Sequence, residues 1–156
     1  MTGIVKVEHL AIHPKALPQL KDWFEAEWPS YYGAEGPGDA QRDLQSFANR
    51  DSLPVGVVAF QDGVLCGIAA LKADSIASHR HLSPWAAAGL VKPSERGKGI
   101  GAQLIGALEQ EARNLGFRDI YCGTSTANSL LERCDWQLIE HIIHEGQRLG
   151  VYRKAL

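Results

Sequence analysis

The residues best suited to chemistry lie together in KPSERGKGIGAQL, residues 92–104. Gly97, Gly99 and Gly101 follow Arg96 in alternation with Lys98 and Ile100. An apolar run, WAAAGLV, precedes them, and a long amphipathic segment follows. Glycine costs conformational entropy and packs nothing, so three of them imply a backbone that something approaches closely. One use is purely geometric, a tight strand-to-helix connection. A second is a dinucleotide fingerprint, because Gly97-x-Gly99-x-x-Ala102 fits G-x-G-x-x-A. That fingerprint normally occupies the first strand-helix turn, with an acid closing the next strand. Here the turn comes late, after a hairpin, and the nearest acid, Asp119, opens its strand instead. The geometry excludes this use. The third is an anion cradle, in which successive N–H groups at a helix start hold phosphate oxygens with help from the helix dipole. Arg96 and Lys98 would add positive charge where two phosphates need it. No G-K-[ST] ending is present, which excludes a magnesium-dependent P-loop.

The elements that must position this turn are read from periodicity. Residues 4–12 alternate as a strand, and the N-terminal stretch MTGIVKVEHLAI lacks the basic and apolar blocks of a signal peptide. Pro14 suits a first helical turn, and Leu17, Leu20, Phe24 and Trp28 share a face that Pro29 ends. Asp39 can cap a second helix. Asp62-Gly63 between PVGVVAF and VLCGIAALK predicts a hairpin. The helix after the turn carries Ile100, Leu104, Leu108, Ala112 and Leu115 as one stripe and stops at Gly116. RDIYCG is a strand, Ser125 or Thr126 can cap a short helix, and the tail folds as two strands around Glu145-Gly146. The order β-α-α-β-β-β-α-β-α-β-β predicts an α+β, three-layer α/β/α fold. Its sheet is mixed and mostly antiparallel, of about seven strands with four helices. No linker divides the chain, so residues 1–156 form a single domain.

The composition bounds the partners. The chain has 156 residues, 45% hydrophobic and 22% charged, with a formal net charge of −2. That is ordinary for a folded domain and provides no basic field for nucleic acid or an anionic membrane surface. Cys66, Cys122 and Cys134 form an odd set without C-x-x-C spacing, which suits reduced thiols and a cytoplasmic location. His79-Arg80-His81 offers two ligands without a third, too few for a metal site.

LVKPSERGKGIG, with the helix behind it, resembles the acetyl-CoA signature of the GNAT family of N-acetyltransferases, a strand followed by Q/R-x-x-G-x-G/A. Arg96-Gly97-Lys98-Gly99-Ile100-Gly101 matches that pattern, with Pro93 three residues upstream. The element order matches the family along essentially the whole chain, and EWP and LSPW look like one bacterial branch. The resemblance implies acetyl-CoA as cofactor, a small-molecule or peptide amine as acceptor, and a homodimer. It implies that main-chain groups of Leu90 and Val91 bind the pantetheine arm and that N–H groups from Arg96 to Gly101 bind the diphosphate. Asn128 matches a position that often contacts the cofactor arm, although it also reads as an ordinary polar residue at a helix start.

Direct acetyl transfer needs a neutral amine, a polarised carbonyl and a leaving thiolate. A main-chain N–H near Leu90 or Val91 suits the oxyanion and requires no particular side chain. Asp74 and His81 are candidates for a general base, or else solvated loop residues. In many members a tyrosine on the last helix, in L-Y-E-x-L-G-F/W, protonates the departing sulfur. The matching stretch is LLERCDW, which puts Leu131 at the tyrosine. Ser129 could substitute, or the thiolate leaves unaided, and losing an acid typically costs roughly 10²- to 10⁴-fold. Cys134 reads either as an acyl-carrying nucleophile or as a small buried apolar residue. For the acceptor, Glu25, Glu27, Trp28, Tyr31, Tyr32 and Trp85 combine acidic and aromatic character suited to a cationic amine. The two tryptophans are equally readable as core, and the two glutamates as a wetted helix face. Two functions therefore stand open: an N-acetyltransferase, or a catalytically weak acyl-CoA-binding or sensing module.

Overall fold

The computed structural model describes residues 4–156; residues 1–3, the start of the stretch read against a signal peptide, lie outside the described residues, and the strand expected over 4–12 ends at His9. Strand β1 (Val5–His9) gives way to two short 3₁₀ turns, and Pro18 sits in the first turn of α1 (Leu17–Glu27). Pro29 does more than end α1. It opens a one-turn helix, α2 (Pro29–Tyr32), because proline suits a helix start as well as it disrupts an interior. Among the described residues there are therefore five α-helices where four were predicted. Helix α3 (Ala40–Ser46) is capped as expected, with the Asp39 carboxylate accepting from the Arg42 N–H at 3.0 Å.

Strands β2 (Val55–Gln61) and β3 (Val64–Lys72) join through Asp62-Gly63, both in the left-handed region that this tight turn demands. Strand β4 (Trp85–Val91) leads through the glycine-rich turn into α4 (Ile100–Asn114), then β5 (Asp119–Thr124), α5 (Asn128–Arg133), β6 (Gln137–His144) and β7 (Gln147–Ala155). Helix α5 has no side-chain cap, contrary to expectation, and its N-cap is Ala127. Thr124 Oγ1, not Ser125 or Thr126, accepts from the N–H groups of Thr126 and Ala127 at the approach to the helix.

The seven strands form one sheet in the order β1-β2-β3-β4-β5-β7-β6, antiparallel throughout except for β4 beside β5. Helices α1 and α3 cover one face through Leu20, Phe24, Leu44 and Phe47, packed on Val58, Ile68 and Leu90. On the other face the α4 stripe of Ile100, Leu104, Leu108 and Ala112 packs with Leu131 on Val57, Leu71 and Ile120. Burying each large apolar side chain stabilises the fold by about 1.5–3 kcal/mol, so this stripe fixes α4 firmly and with it the turn at its start. Among the described residues no helix is long and apolar enough to cross a membrane, and no group of three His, Cys, Asp or Glu could hold a metal ion.

Candidate active site

The glycine-rich turn is built so that its amides have nothing to bond to. Gly97 and Gly99 have φ of 81° and 82°, a conformation that side chains with a Cβ resist, and Gly99 is the N-cap of α4. A Cβ placed at either would meet no atom within 4 Å, so this stretch of main chain faces open space. Among the described residues none accepts a hydrogen bond from the N–H of Gly97, Lys98, Gly99, Ile100 or Gly101. The Arg96 N–H is already engaged by Pro93 O at 3.4 Å, so the free run begins one residue later than the sequence suggested. Ile100 contributes only its main chain, since its side chain belongs to the core.

Beside the turn the sheet opens. Strands β4 and β5 share a single register pair, Trp85 with Tyr121, supported by the Tyr121 N–H on Pro84 O at 3.0 Å. Beyond it they diverge. A bulge helps: Ala70 pairs with Ala87 and Ile68 with Leu90, so Ala88 and Gly89 together face Ala69, and Ala88 takes φ of 53°. After the bulge the Lys92 N–H bonds Cys66 O at 2.8 Å. Main-chain polar groups alternate between neighbours along a strand. Of the two residues expected to bind an extended arm, Val91 therefore turns its main-chain groups to the gap and Leu90 turns its own to β3.

The gap widens into a cavity of about 740 Å³ that reaches from Gly101, Leu104 and Ile105 of α4 past α5 to Glu27 and Trp28 at the end of α1. Its walls carry three charged side chains, Glu27, Arg96 and Arg133. Arg96 spans the mouth. Its Nε donates to Val91 O at 2.9 Å, and its guanidinium lies 3.3 Å from the Glu27 carboxylate. Lys98 turns instead to Glu95, at 2.9 Å. Trp28 is half-buried, edge-on to Phe24 with 5.1 Å between ring centroids, and lines the cavity. Tyr32 supports that cluster and donates to Asp43 at 2.8 Å; burial, together with that carboxylate, pushes its phenol well above the ordinary range.

Other predicted residues lie elsewhere. Asp74 is exposed on the loop after β3 and does not line the cavity, so it is not positioned as a base there. Trp85 is 0% exposed, gives its Nε1–H to Leu82 O, and packs with Ile76, Tyr121 and Val151. It is core, not acceptor surface. Asn128 also turns from the cavity, its Nδ2 donating to the Tyr152 hydroxyl at 3.1 Å. Ser129 does line the cavity, and Leu131 walls it with an apolar side chain that is 0% exposed.

The sequence reading missed Cys122, Thr124, Ser125, Thr126 and Arg133, all on the wall. The available signal was their position at the end of the strand adjoining the glycine-rich turn. Burial pushes the Cys122 thiol up to about 12, so it stays protonated near neutrality and is no nucleophile. Burial likewise raises the Cys134 thiol, which suits an apolar residue better than an acyl carrier.

A family model described as the acetyltransferase (GNAT) family matches residues 17–134. No curated protein matches the chain in sequence. Among solved structures, the chain is similar to an aminoglycoside 6'-N-acetyltransferase complexed with coenzyme A, with a TM-score of 0.77 at 15% identity, covering 96% of each chain. It is similar to ribosomal-protein-alanine N-acetyltransferase from Brucella melitensis, with a TM-score of 0.74 at 22% identity over 97% of this chain and 99% of that one. It is also similar to yncA, a putative acetyltransferase from Salmonella typhimurium with its cofactor acetyl-CoA, with a TM-score of 0.71 at 18% identity over 97% and 93%.

Proposed function

The chain belongs to the acetyltransferase (GNAT) family, and on that premise we propose that it is an acetyl-CoA-dependent N-acetyltransferase acting on a primary amine of a small molecule or peptide. The observation that carries this reading is the junction of two features: five unbonded amides from Gly97 to Gly101, and a gap in the sheet that starts beside them. A diphosphate fits the first, because N–H groups at a helix start attract anionic oxygens and the glycines leave the approach clear. An extended amide-bearing arm fits the second, adding to the Val91 edge as a further strand would. When bound, acetyl-CoA supplies an acetyl group activated as a thioester.

The chain's own residues supply position and charge. Main-chain N–H groups along the β4 edge are the donors available to an oxygen on which negative charge develops, and they need no reorganisation. Glu27 is the one carboxylate on the cavity wall among the described residues, and Trp28 lines the same wall. Together they suit a cationic amine, the carboxylate by charge and the ring through its π-face. Glu27 can also take the amine's proton, directly or through water, a role for which Asp74 lies in the wrong place. Holding both partners in attack geometry provides much of the remaining acceleration.

A second reading, a catalytically weak acyl-CoA-binding module, draws on Leu131, which walls the cavity without a proton to give. Ser129, on the same wall and the same helix, is a hydroxyl that could replace it. Thiol release from acetyl-CoA, screened against polyamines, aminoglycosides, amino acids and peptide N-termini, separates the two. The transferase reading expects release that depends on one class of added amine. Tight coenzyme A binding with no response to any amine would support the binding module instead.

A further inference from the structure

We propose that Arg96 is a latch between the two substrate sites, and that cofactor binding releases Glu27 for the acceptor amine. The inference rests on the acetyltransferase reading above. In the free protein one side chain closes two groups that function requires to be open. Nε of Arg96 donates to Val91 O at 2.9 Å, filling the carbonyl that an arm added to β4 would use. The same guanidinium holds Glu27 Oε2 at 3.3 Å, across 69 residues of chain, and so neutralises the one carboxylate on the cavity wall.

Arg96 also adjoins the free amides that begin at Gly97. A diphosphate seated on those amides offers the guanidinium two closely spaced anionic oxygens, a stronger, bidentate partner than a carbonyl and a single carboxylate oxygen. A single side-chain movement then opens Val91 O to the arm and leaves the Glu27 carboxylate without its cationic partner. The acceptor site therefore gains affinity for a cation once the cofactor has arrived, which biases the order of the two binding events. Linkage makes the coupling reciprocal, so a cation that draws Glu27 away also eases cofactor entry.

Both side chains are substantially exposed, at 48% for Arg96 and 40% for Glu27, so the latch is weak by construction. Exposed pairs are worth about 1 kcal/mol or less, which sets a ceiling of about fivefold on cofactor affinity. The test is calorimetric titration of coenzyme A into the wild type, Glu27→Gln, Arg96→Ala and the double variant. Glu27→Gln removes the carboxylate's hold and is expected to tighten coenzyme A binding by about two- to fivefold. Arg96→Ala is expected to weaken binding, and adding Glu27→Gln to it is expected to change nothing further. If Glu27→Gln tightens binding equally with and without Arg96, the effect is general charge repulsion and the latch is wrong. No change in either background also overturns it, with the acetyltransferase reading intact. Coenzyme A failing to bind the wild type would overturn both.

Discussion

Gly99 occupies the left-handed region at φ of 82° and opens α4 among amides that have no partner. A residue with a Cβ there is strained by about 1–2 kcal/mol, but alanine would still leave the amides accessible, because a Cβ meets nothing within 4 Å. Glutamate would place a carboxylate where the diphosphate is expected. Gly99→Glu should therefore weaken coenzyme A binding by about a hundredfold or more, the loss of one or two charge-assisted hydrogen bonds. Far-UV circular dichroism should stay unchanged, and Gly99→Ala should bind within about tenfold of wild type. Calorimetric titration of both variants checks this, and a Gly99→Glu protein that binds like wild type would remove the anion cradle. Glycines of this kind are legible in sequence because residue type and backbone conformation are tightly linked. Asp74, Trp85 and Asn128 were not legible, for the opposite reason. An aspartate, a tryptophan or an asparagine is equally at home in a site, a core or a surface, and only the packing of distant elements decides which way it faces.

At the scale of elements, the stripe on α4 was readable from its period, but the same helix also buries a charge that periodicity does not explain. Glu109 lies on α4 with its side chain 8% exposed, 2.8 Å from Lys154 Nζ on β7 and 3.2 Å from Trp136 Nε1. Lys154 in turn donates to Cys134 O at 2.8 Å, so one carboxylate ties together a helix, the end of α5 and the last strand. Removing one member of a buried pair leaves the other charge uncompensated, which typically costs about 3–5 kcal/mol. Because Lys154 keeps its bond to Cys134 O and some solvent, the lower end applies, and Glu109→Ala should lose about 3 kcal/mol in urea unfolding. Glu109→Leu with Lys154→Met should recover most of that loss, since an apolar pair of similar volume needs no compensation. A single variant as stable as wild type would show that the network contributes nothing. The element order itself followed from apolar spacing and turn residues. What escaped was local choice among near-equals: whether Pro29 ends one helix or starts another, and which of three adjacent hydroxyls bonds the turn before α5.

At the scale of the whole molecule, the sheet consists of two antiparallel halves, β1 to β4 and β5-β7-β6, meeting at one parallel pair beside Trp85. No residue pattern announces this. Parallel and antiparallel neighbours draw on the same apolar runs, and the divergence depends on how few residues pair and not on which ones they are. Yet the cavity opens where the halves separate, with β4 on one side and β5 on the other. A ligand lying along the Val91 edge would act as a wedge-shaped strand between them, bonding β4 on one side and packing on β5 on the other. Binding should therefore stabilise the molecule as a unit. At a free coenzyme A concentration of a hundred times Kd, mass action adds about 2.7 kcal/mol, a rise in Tm of about 5–10 °C for a domain of this size. Hydrogen exchange should localise the cause. Amides of Val91 and of Gly97 through Gly101, which have no acceptors in the free protein, should slow markedly on binding, while the exposed amides of the Asp62-Gly63 hairpin between β2 and β3 should not. Slowing absent from Gly97 through Gly101 would mean that the ligand stabilises the fold from some other surface and that the gap between the halves is not where it binds.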